Sequence, residues 1–520
     1  MSTPTNCIPQ QLEQGVPVAQ FTSPLVVARN SLLNLCNEVW TLAVVFLTMP
    51  ILIHRLGKDG FGLFSLAWVV LGYMAILDLG VSRAATKFVS EHLSRSQSAS
   101  VEQVCRAALT SNLILGCAGC LAAWFAAPWL VDHVFRIPAS LQQQAHVIFL
   151  ALALSIPIML VQAEIRAVLS SYQRFVWINA VNALAITLQL GGACALTVLG
   201  FPIDRIVIAC VIVRAFAMGA FALGLAQINR KLLKPGLAET GELWRLLKFG
   251  GWVSLSQIMT PVLLYLDRVL VVALSSLAEM TLYVVPSEII ARLRIVPSSL
   301  VNSLFPSLSE HSVSASNEAR RRLYGESLKY ILLVLLPCFM LLAIFGTDVI
   351  SLWIGADYAK SGGVVLRILS VGGLLNALGF VPSAALVALG RPDLPAKFHV
   401  LEVPLYLLLS LVLIPKWGIV GAAVAVATRL VVDACALFWA AHRFVDCTLA
   451  YRTARRVIET NVALGFAFLL IHSWTDVPAT RLFAAAACFL GYLSASWFLV
   501  LSEQERPIVT RILLMGSRIA

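Results

Sequence analysis

Five ionisable side chains interrupt two apolar stretches in the middle of the chain, between Phe249 and Pro306; they are Asp267, Arg268, Glu288, Arg292 and Arg294. Each stretch is long enough to cross a bilayer, which takes about 20 residues. A charge at that depth costs about 2.5–3.5 kcal/mol on insertion scales, so such residues face a protein interior or a watery cavity. The pattern therefore indicates a polar cavity inside membrane-spanning helices.

Other apolar stretches carry charges at similar depth. The deep set contains more arginines than carboxylic acids: Arg214, Arg268, Arg292, Arg294 and Arg429 against Glu38, Asp267, Glu288 and Asp433. The surplus of one positive charge favours an anionic ligand. Arginine suits a phosphate because its planar guanidinium stays charged and donates two parallel hydrogen bonds. These five arginines are the candidate ligand-binding residues.

The same charges could instead only hold helices together. Glu288 and Arg292, like Arg429 and Asp433, are four residues apart and share a helical face. Asp267 and Arg268 are adjacent and point about 100° apart, so we expect Asp267 to pair with another helix. Both interpretations stay open.

Glu38 is the candidate for a proton- or cation-coupling carboxylate, because it lies near the middle of its apolar stretch and a buried carboxyl can exchange a proton near neutral pH. Three other acids lie near the ends of their stretches, and we expect them to be ordinary interfacial residues: Asp78, Glu164 and Glu402.

The elements that position these residues are membrane helices. Of the 520 residues, 59% are hydrophobic and 12% are charged, and the mean hydropathy is +0.86. Hydropathy predicts an all-α polytopic membrane protein with about fourteen spans. The predicted organisation is a cytoplasmic tail (1–24), six spans (25–228), a cytoplasmic linker (229–248), six spans (249–441), two extra C-terminal spans (457–501) and a cytoplasmic tail (502–520).

The first six spans and the next six share weak features in the same order. Span six contains Arg214 fourteen residues after Gly200, and span twelve contains Arg429 eleven residues after Gly418. Two six-helix halves that repeat one another are typical of transporters, whose binding sites lie near the membrane midplane.

Lysine and arginine are distributed unevenly between alternate loops. One set of loops, with the tails, carries 25 of them and the other set carries 7. Positive charge marks the cytoplasmic side, so both termini are predicted to be cytoplasmic. The net charge of +11 is then a topological signal, and no nucleic-acid partner is predicted.

Enzyme functions are disfavoured. No predicted loop is long enough for a soluble catalytic domain, and the eight histidines are scattered, so neither a metal site nor a cofactor is predicted. There is no GxxxxGK[ST] motif for ATP. A membrane-embedded glycosyl- or acyltransferase remains an alternative.

Several motifs resemble polysaccharide-exporter flippases of the multidrug/oligosaccharidyl-lipid/polysaccharide exporter superfamily. They are LGKDGFGLFSLAWVVLGYMAILDLGVSRAATKFVSEH (Leu56–His92), YLDRVLV (Tyr265–Val271), LFPSLS (Leu304–Ser309), ALGR (Ala388–Arg391) and IPKWGIVGAA (Ile414–Ala423). The resemblance covers about residues 25 to 445.

The resemblance implies translocation of a polyprenyl-pyrophosphate-linked oligosaccharide across the bacterial inner membrane by alternating access. It also implies two six-helix lobes arranged as a V, as in multidrug antiporters. On this basis the candidate arginines would hold the pyrophosphate, a proton or Na⁺ could be the coupling ion, and a polysaccharide polymerase and chain-length proteins are possible partners. A cation-coupled multidrug antiporter and a peptidoglycan-precursor flippase are the alternatives within the superfamily.

The charge bias gives a test of topology. Reporter tags at Met1 and at Ala520 should both signal cytoplasm, and a single cysteine introduced near Asp357 into a cysteine-free variant should react with an impermeant reagent from outside. Outside labelling of either terminus would overturn the predicted span count.

Overall fold

The structure is a computed structural model that describes residues 24–234, 262–299, 317–389, 393–445 and 451–501, with residues 236, 391, 503 and 506. Within these ranges the chain is helical and contains no β-strand, which confirms the predicted all-α class. The predicted tails and most of the predicted linker lie outside the described residues.

Ten helices of the described part are long and apolar enough to cross a membrane, which confirms a multi-pass membrane protein. Two of them, Pro24–Met74 and Asp393–Val445, each extend over two predicted spans and contain one glycine with non-helical backbone angles, Gly57 and Gly418. Two shorter segments, 262–274 and Leu277–Leu293, coincide with predicted spans seven and eight. The arrangement is compatible with fourteen crossings, and that number stays a prediction.

The chain divides into two compact units, Met1–Tyr265 and Leu266–Ala520. The helices of unit 1 are α1 (Pro24–Met74), α2 (Val81–Ser94), α3 (Ser98–Trp129), α4 (Ala139–Ser171), α5 (Phe175–Val198) and α6 (Ile203–Ala226). A short 3₁₀ turn, Ala75–Asp78, joins α1 to α2. The predicted lobe boundaries, 25–228 and 249–441, stay predictions.

Most of helix α2 lies in a segment that hydropathy predicts to be a loop between two membrane spans. Its buried positions are Val81, Ala84, Ala85, Phe88 and Val89. This spacing of three and four residues gives one apolar face, whereas the opposite face is polar. The helix is therefore amphipathic and too polar to be recognised as a span, and it directs Ser82 and Arg83 away from the core.

Helix α7 (262–274) runs from the end of unit 1 into unit 2. The further helices of unit 2 are α8 (Leu277–Leu293), α9 (Asn317–Trp353), α10 (Ala356–Ala388), α11 (Asp393–Val445), α12 (Tyr451–Trp474) and α13 (Pro478–Leu499). Ser276 caps α8, because its side chain accepts a hydrogen bond from the backbone N–H of Glu279.

Helix α11 folds back on itself at Gly418, where φ is 56° and ψ is −135°. Only glycine adopts this conformation without strain. The two arms are closely packed, because a β-carbon at Gly421 would collide with the backbone carbonyl of Leu413. The turn brings Glu402 on the first arm level with Arg429 on the second.

The last two helices pack against α9 within unit 2. The rings of Phe345 and Phe468 meet edge to face with 5.6 Å between centroids. The Tyr492 hydroxyl donates to the Leu333 carbonyl at 3.2 Å, and Arg481 lies 3.4 Å from Asp348. The C-terminal pair is therefore an integral part of unit 2.

The tight turn of α11 predicts the effect of one added methyl group. Gly421→Ala should lower the thermal unfolding midpoint of the purified protein, through a loss of about 1–3 kcal/mol typical of overpacking. The matched control is Gly219→Ala in α6, where a β-carbon meets nothing within 4 Å; its midpoint should stay the same or rise, because alanine is the better helix former. Equal midpoints for the two variants would contradict the close packing of the two arms.

Candidate functional site

Unit 1 contains a cavity of about 550 Å³ between α1, α2, α4 and α5. Small-molecule sites typically measure about 300–1,000 Å³, so a ligand headgroup could fit. The wall is mostly polar and carries Asn34, Asn37, Glu38, Ser82, Arg83, Thr86, Arg166, Ser170, Asn179 and Asn182, with Ala163, Ala167, Phe175 and Ile178. We call this the unit 1 cavity.

The wall residues recur at helical spacing on each of the four helices. On α5, for example, Phe175, Ile178, Asn179 and Asn182 share one face. The Asn179 amide donates to Asn34 Oδ1 at 2.8 Å and so joins α5 to α1. The cavity is therefore built from polar stripes on apolar helices, a signal that a search for charged residues does not detect.

The charged groups of the wall are not neutralised by ion pairs. Arg83, Arg166 and Glu38 form no salt bridge within the described part of the chain. All three side chains are exposed to the cavity or the surrounding solvent. The wall thus has one net positive charge and two guanidinium groups available to a ligand.

Sequence reasoning found Glu38 but missed the two arginines. It counted Arg83 and Arg166 only as topological charges, because each lies near the end of an apolar stretch. Glu38 was expected to be buried, whereas its side chain is exposed on the cavity wall.

Arg214, the fifth candidate arginine, lies elsewhere in unit 1. Its guanidinium is 5.6 Å from the centroid of the Trp68 ring, at a distance where a cation and an aromatic face attract one another. It lines a small, mainly apolar cavity with Phe64, Leu152 and Val207.

In unit 2, Glu288 on α8 lies between two of the candidate arginines. One carboxylate oxygen is 2.9 Å from Arg268 Nη2 and the other is 3.3 Å from Arg292 Nη2. The predicted pairing of Arg292 with Glu288 is confirmed, and Arg268 is an additional partner. Asp267 accepts a hydrogen bond from the Tyr283 hydroxyl at 2.7 Å, so it does pair with another helix as expected.

The hairpin of α11 holds a second group of charges. Arg429 Nη1 lies 3.6 Å from Glu402 Oε2, and its guanidinium is 5.5 Å from the Tyr406 ring centroid. His399 Nδ1 lies 3.5 Å from Glu402 and 3.8 Å from Asp433. The expected pair between Arg429 and Asp433 is not formed among the described residues, because the hairpin offers Glu402 as the carboxylate instead.

Two expectations about acids are wrong. The sequence predicts Glu402 and Glu164 to be ordinary interfacial residues, but they are buried, with 4% and 0% of their surface exposed. With Glu402 included, these charges of unit 2 are four arginines and four carboxylates: Arg268, Arg292, Arg294 and Arg429 with Asp267, Glu288, Glu402 and Asp433. Arg294 lies near Arg429 and Asp433, and its guanidinium packs on the Phe380 ring. The surplus positive charge inferred from the sequence is therefore absent from this part of unit 2.

One histidine lies close to two carboxylates, which the scattered distribution of the histidines along the sequence does not predict. His399, Glu402 and Asp433 present ligand atoms within 4.8 Å of one another. His399 and Glu402 are three residues apart on one arm of α11, and the turn at Gly418 brings Asp433 of the other arm close to them. Arg429 already supplies a positive charge to Glu402, so charge balance at this cluster does not require a metal ion.

The fold of the chain is shared with solved membrane transporters. It is similar to the lipid II flippase MurJ in an inward closed conformation, with a TM-score of 0.69 at 13% identity, covering 90% of this chain and 99% of MurJ. It is also similar to an inward-facing multidrug resistance MATE transporter of the MOP superfamily, with a TM-score of 0.63 at 15% identity, covering 79% and 98% of the two chains. The shared architecture is that of the MOP superfamily.

Residues 27–312, more than half of the chain, match the family described as polysaccharide biosynthesis protein, and the chain belongs to that family. A protein of Shigella flexneri assigned as an O-antigen transporter is 24% identical, covering 79% of this chain and 97% of its own. A protein of Haloferax volcanii assigned as a low-salt glycan biosynthesis flippase is 22% identical, covering 85% and 90%. The predicted family is confirmed.

The shared carboxylate of Glu288 predicts unequal effects of two substitutions. Glu288→Gln removes the partner of two guanidiniums at once and should destabilise the protein by about 3–5 kcal/mol, as expected for breaking a buried pair. Arg292→Gln leaves the contact between Arg268 and Glu288 and should cost less. Thermal unfolding of the purified variants measures both.

The combined variant Glu288→Gln with Arg292→Gln should not regain wild-type stability, because Arg268 still lacks its carboxylate. Full recovery in the combined variant, or equal losses in the two single variants, would contradict the shared arrangement.

Proposed function

We propose that the protein is a flippase that moves a polyprenyl-pyrophosphate-linked oligosaccharide from the cytoplasmic to the outer leaflet of the bacterial inner membrane. The product would serve assembly of O-antigen, capsule or exopolysaccharide, and the movement would follow alternating access. The family membership supports a role in polysaccharide biosynthesis. The assignments of the Shigella and Haloferax relatives support a lipid-linked glycan as the cargo.

The observation that carries the proposal is a pair of guanidiniums that form no salt bridge with any described residue and that line a cavity rich in polar side chains. Arg83 and Arg166 can donate bidentate hydrogen bonds to phosphate oxygens. The amides of Asn34, Asn37 and Asn182 offer both donors and acceptors, which suits sugar hydroxyls. A polar headgroup of this kind cannot cross the apolar part of a bilayer without such a lining.

The deep arginines identified from the sequence remain proposed contacts for the anion. In unit 2, Arg292 is the best placed of them, because its side chain is 30% exposed and its contact with Glu288 is 3.3 Å long. The side chains of Arg268 and Arg429 are only 10% exposed. Arg294 packs on Phe380. For Arg268, Arg294, Arg429 and Arg214, a role in holding the helices together accounts for their contacts as well.

We propose that the protein carries out no bond chemistry on its cargo. The relatives are assigned as a transporter and a flippase, and transport of an intact lipid-linked glycan requires no catalytic residue. Coupling to H⁺ or Na⁺, with cytoplasmic termini and contacts to a polymerase and chain-length proteins, completes the proposal. A drug antiporter is disfavoured, since drug-sized ligands bind mainly to apolar and aromatic linings, whereas ten of the fourteen residues that line the unit 1 cavity are polar or charged and only Phe175 is aromatic.

The unit 1 cavity predicts which arginine substitution weakens cargo binding. Arg166→Gln should reduce the affinity for a polyprenyl-pyrophosphate-linked oligosaccharide about tenfold to a hundredfold, because a hydrogen bond to a charged group contributes about 1.5–3 kcal/mol. Arg166→Lys should retain part of it, since lysine keeps the charge but loses the fork. Binding to the purified protein, and flipping in proteoliposomes, measure both variants.

The matched control is Arg95→Gln. Arg95 directly follows α2, is exposed, and pairs with Glu91 at 2.8 Å outside the cavity. Its substitution should leave affinity and flipping unchanged. Equal affinity for Arg166→Gln and the wild type would exclude Arg166 as a phosphate ligand. Chain growth or hydrolysis of the glycan lipid by the wild type would indicate an enzyme instead.

A further inference from the structure

A carboxyl group beside the unit 1 cavity is fully buried and has no role in the proposed binding of the cargo. Glu164 on α4 is 0% exposed, and its Oε2 accepts a hydrogen bond from the Asn112 amide of α3 at 3.1 Å. Within the described residues no basic side chain forms an ion pair with it. An isolated carboxylate in such surroundings is strongly disfavoured, and a carboxyl group there takes up a proton instead.

The groups that face Glu164 from neighbouring elements add no positive charge. They are the carboxylate of Asp78 on the 3₁₀ turn, the thiol of Cys105 on α3, and the neutral side chains of Asn112 and Ser82. No hydrogen bond or ion pair from the described parts of α1, α5 or α6 reaches the carboxyl. The charged group among them is the carboxylate of Asp78, whose negative charge opposes ionisation of Glu164.

The hydrogen bonding around Glu164 lacks one donor. Glu164 Oε1 and Asn112 Oδ1 are both buried acceptors without a hydrogen-bond partner, and Asn112 is 0% exposed. Their other atoms, Oε2 and Nδ2, are already bonded to one another. A proton on Oε1 would turn this oxygen into a donor, and Asn112 Oδ1, which belongs to the amide already bonded to Oε2, is a buried acceptor in need of one. One proton satisfies both oxygens.

This pair is connected to the cavity wall. Asn112 Nδ2 lies 3.4 Å from Ser82 Oγ, and Ser82 Oγ donates to Asp78 Oδ1 at 2.6 Å. Ser82 lines the unit 1 cavity and precedes Arg83 in the chain. A change of charge at Glu164 is therefore transmitted through two hydrogen bonds to a residue beside a proposed phosphate ligand.

We infer that Glu164 is a proton-binding site whose occupancy is linked to occupancy of the unit 1 cavity, which makes H⁺ the coupling ion of the proposed flippase. The link to transport rests on the proposed function. A metal cation would need several oxygen ligands around it, but here Asn112 Nδ2 is directed at one carboxyl oxygen and the Ser82 hydroxyl donates its hydrogen to Asp78. A proton needs only the two buried oxygens that lack a hydrogen-bond partner among the described residues, Glu164 Oε1 and Asn112 Oδ1.

The proton can be detected without any cargo. Infrared difference spectra of the purified full-length protein in lipid, recorded between acidic and alkaline pH, should show the carbonyl stretch of a buried carboxylic acid. Glu164→Gln should remove one such band, whereas Glu38→Gln on the cavity wall should retain it. An unchanged band in Glu164→Gln would overturn the assignment. Should that variant fail to fold, Asn112→Ala should shift the band, and an unshifted band would overturn it equally.

Coupling is measured separately in proteoliposomes with a polyprenyl-pyrophosphate-linked oligosaccharide. The flipping rate of the wild type should respond to an imposed pH gradient, and Glu164→Gln should lose that response while keeping its affinity for the cargo. A retained response in the variant, or a wild-type response to a Na⁺ gradient and not to pH, would overturn the coupling role. Failure of the wild type to flip any glycan would contradict the proposed function, and the infrared result would still decide the proton site.

Discussion

The apolar surroundings of a membrane helix make an uncompensated charge expensive, and this constraint organises the described structure. Most deep charges of unit 2 lie against an opposite charge or a hydroxyl. Glu288 contacts two arginines, Glu402 contacts Arg429, and Asp267 accepts from Tyr283. The contact of Glu288 with Arg292 lies within α8. The other contacts join different helices or the two arms of α11 and so connect apolar segments to one another.

The unit 1 cavity differs from this pattern in a way that bears on function. Arg83, Arg166 and Glu38 line it without salt bridges in the described residues, and the hydrogen bond between Asn179 and Asn34 on its wall joins two neutral amides. Charges left available in a polar cavity are typical of a binding site, whereas charges satisfied internally are typical of a scaffold. Glu164, beside the cavity, shares one feature with each group. It is buried like the charges that hold helices together, but it forms no ion pair with a described residue. A bound proton would neutralise it.

Much of the architecture follows from the sequence, because span length and hydropathy are local properties. The C-terminal pair of spans was predictable from hydropathy, and the contact of Arg292 with Glu288 was predictable from their spacing of four residues along one helix. The contacts that require folding were not. Glu402 meets Arg429 because the chain reverses at Gly418, and 26 residues separate them along the sequence. Arg83 and Arg166 were overlooked because a basic residue near the end of a span normally reports topology.

The central claim is that the unit 1 cavity holds the headgroup of a lipid-linked glycan, and photochemical crosslinking tests it most directly. A polyprenyl-pyrophosphate-linked oligosaccharide with a photoreactive group on its sugar would be irradiated with the protein in lipid, and the modified residues identified by mass spectrometry. The account predicts adducts on the faces of α1, α2, α4 and α5 that line the cavity, and their loss in the presence of excess unlabelled cargo. Adducts confined to lipid-facing positions such as Phe125 or Phe216, which are 74% and 75% exposed, would contradict it.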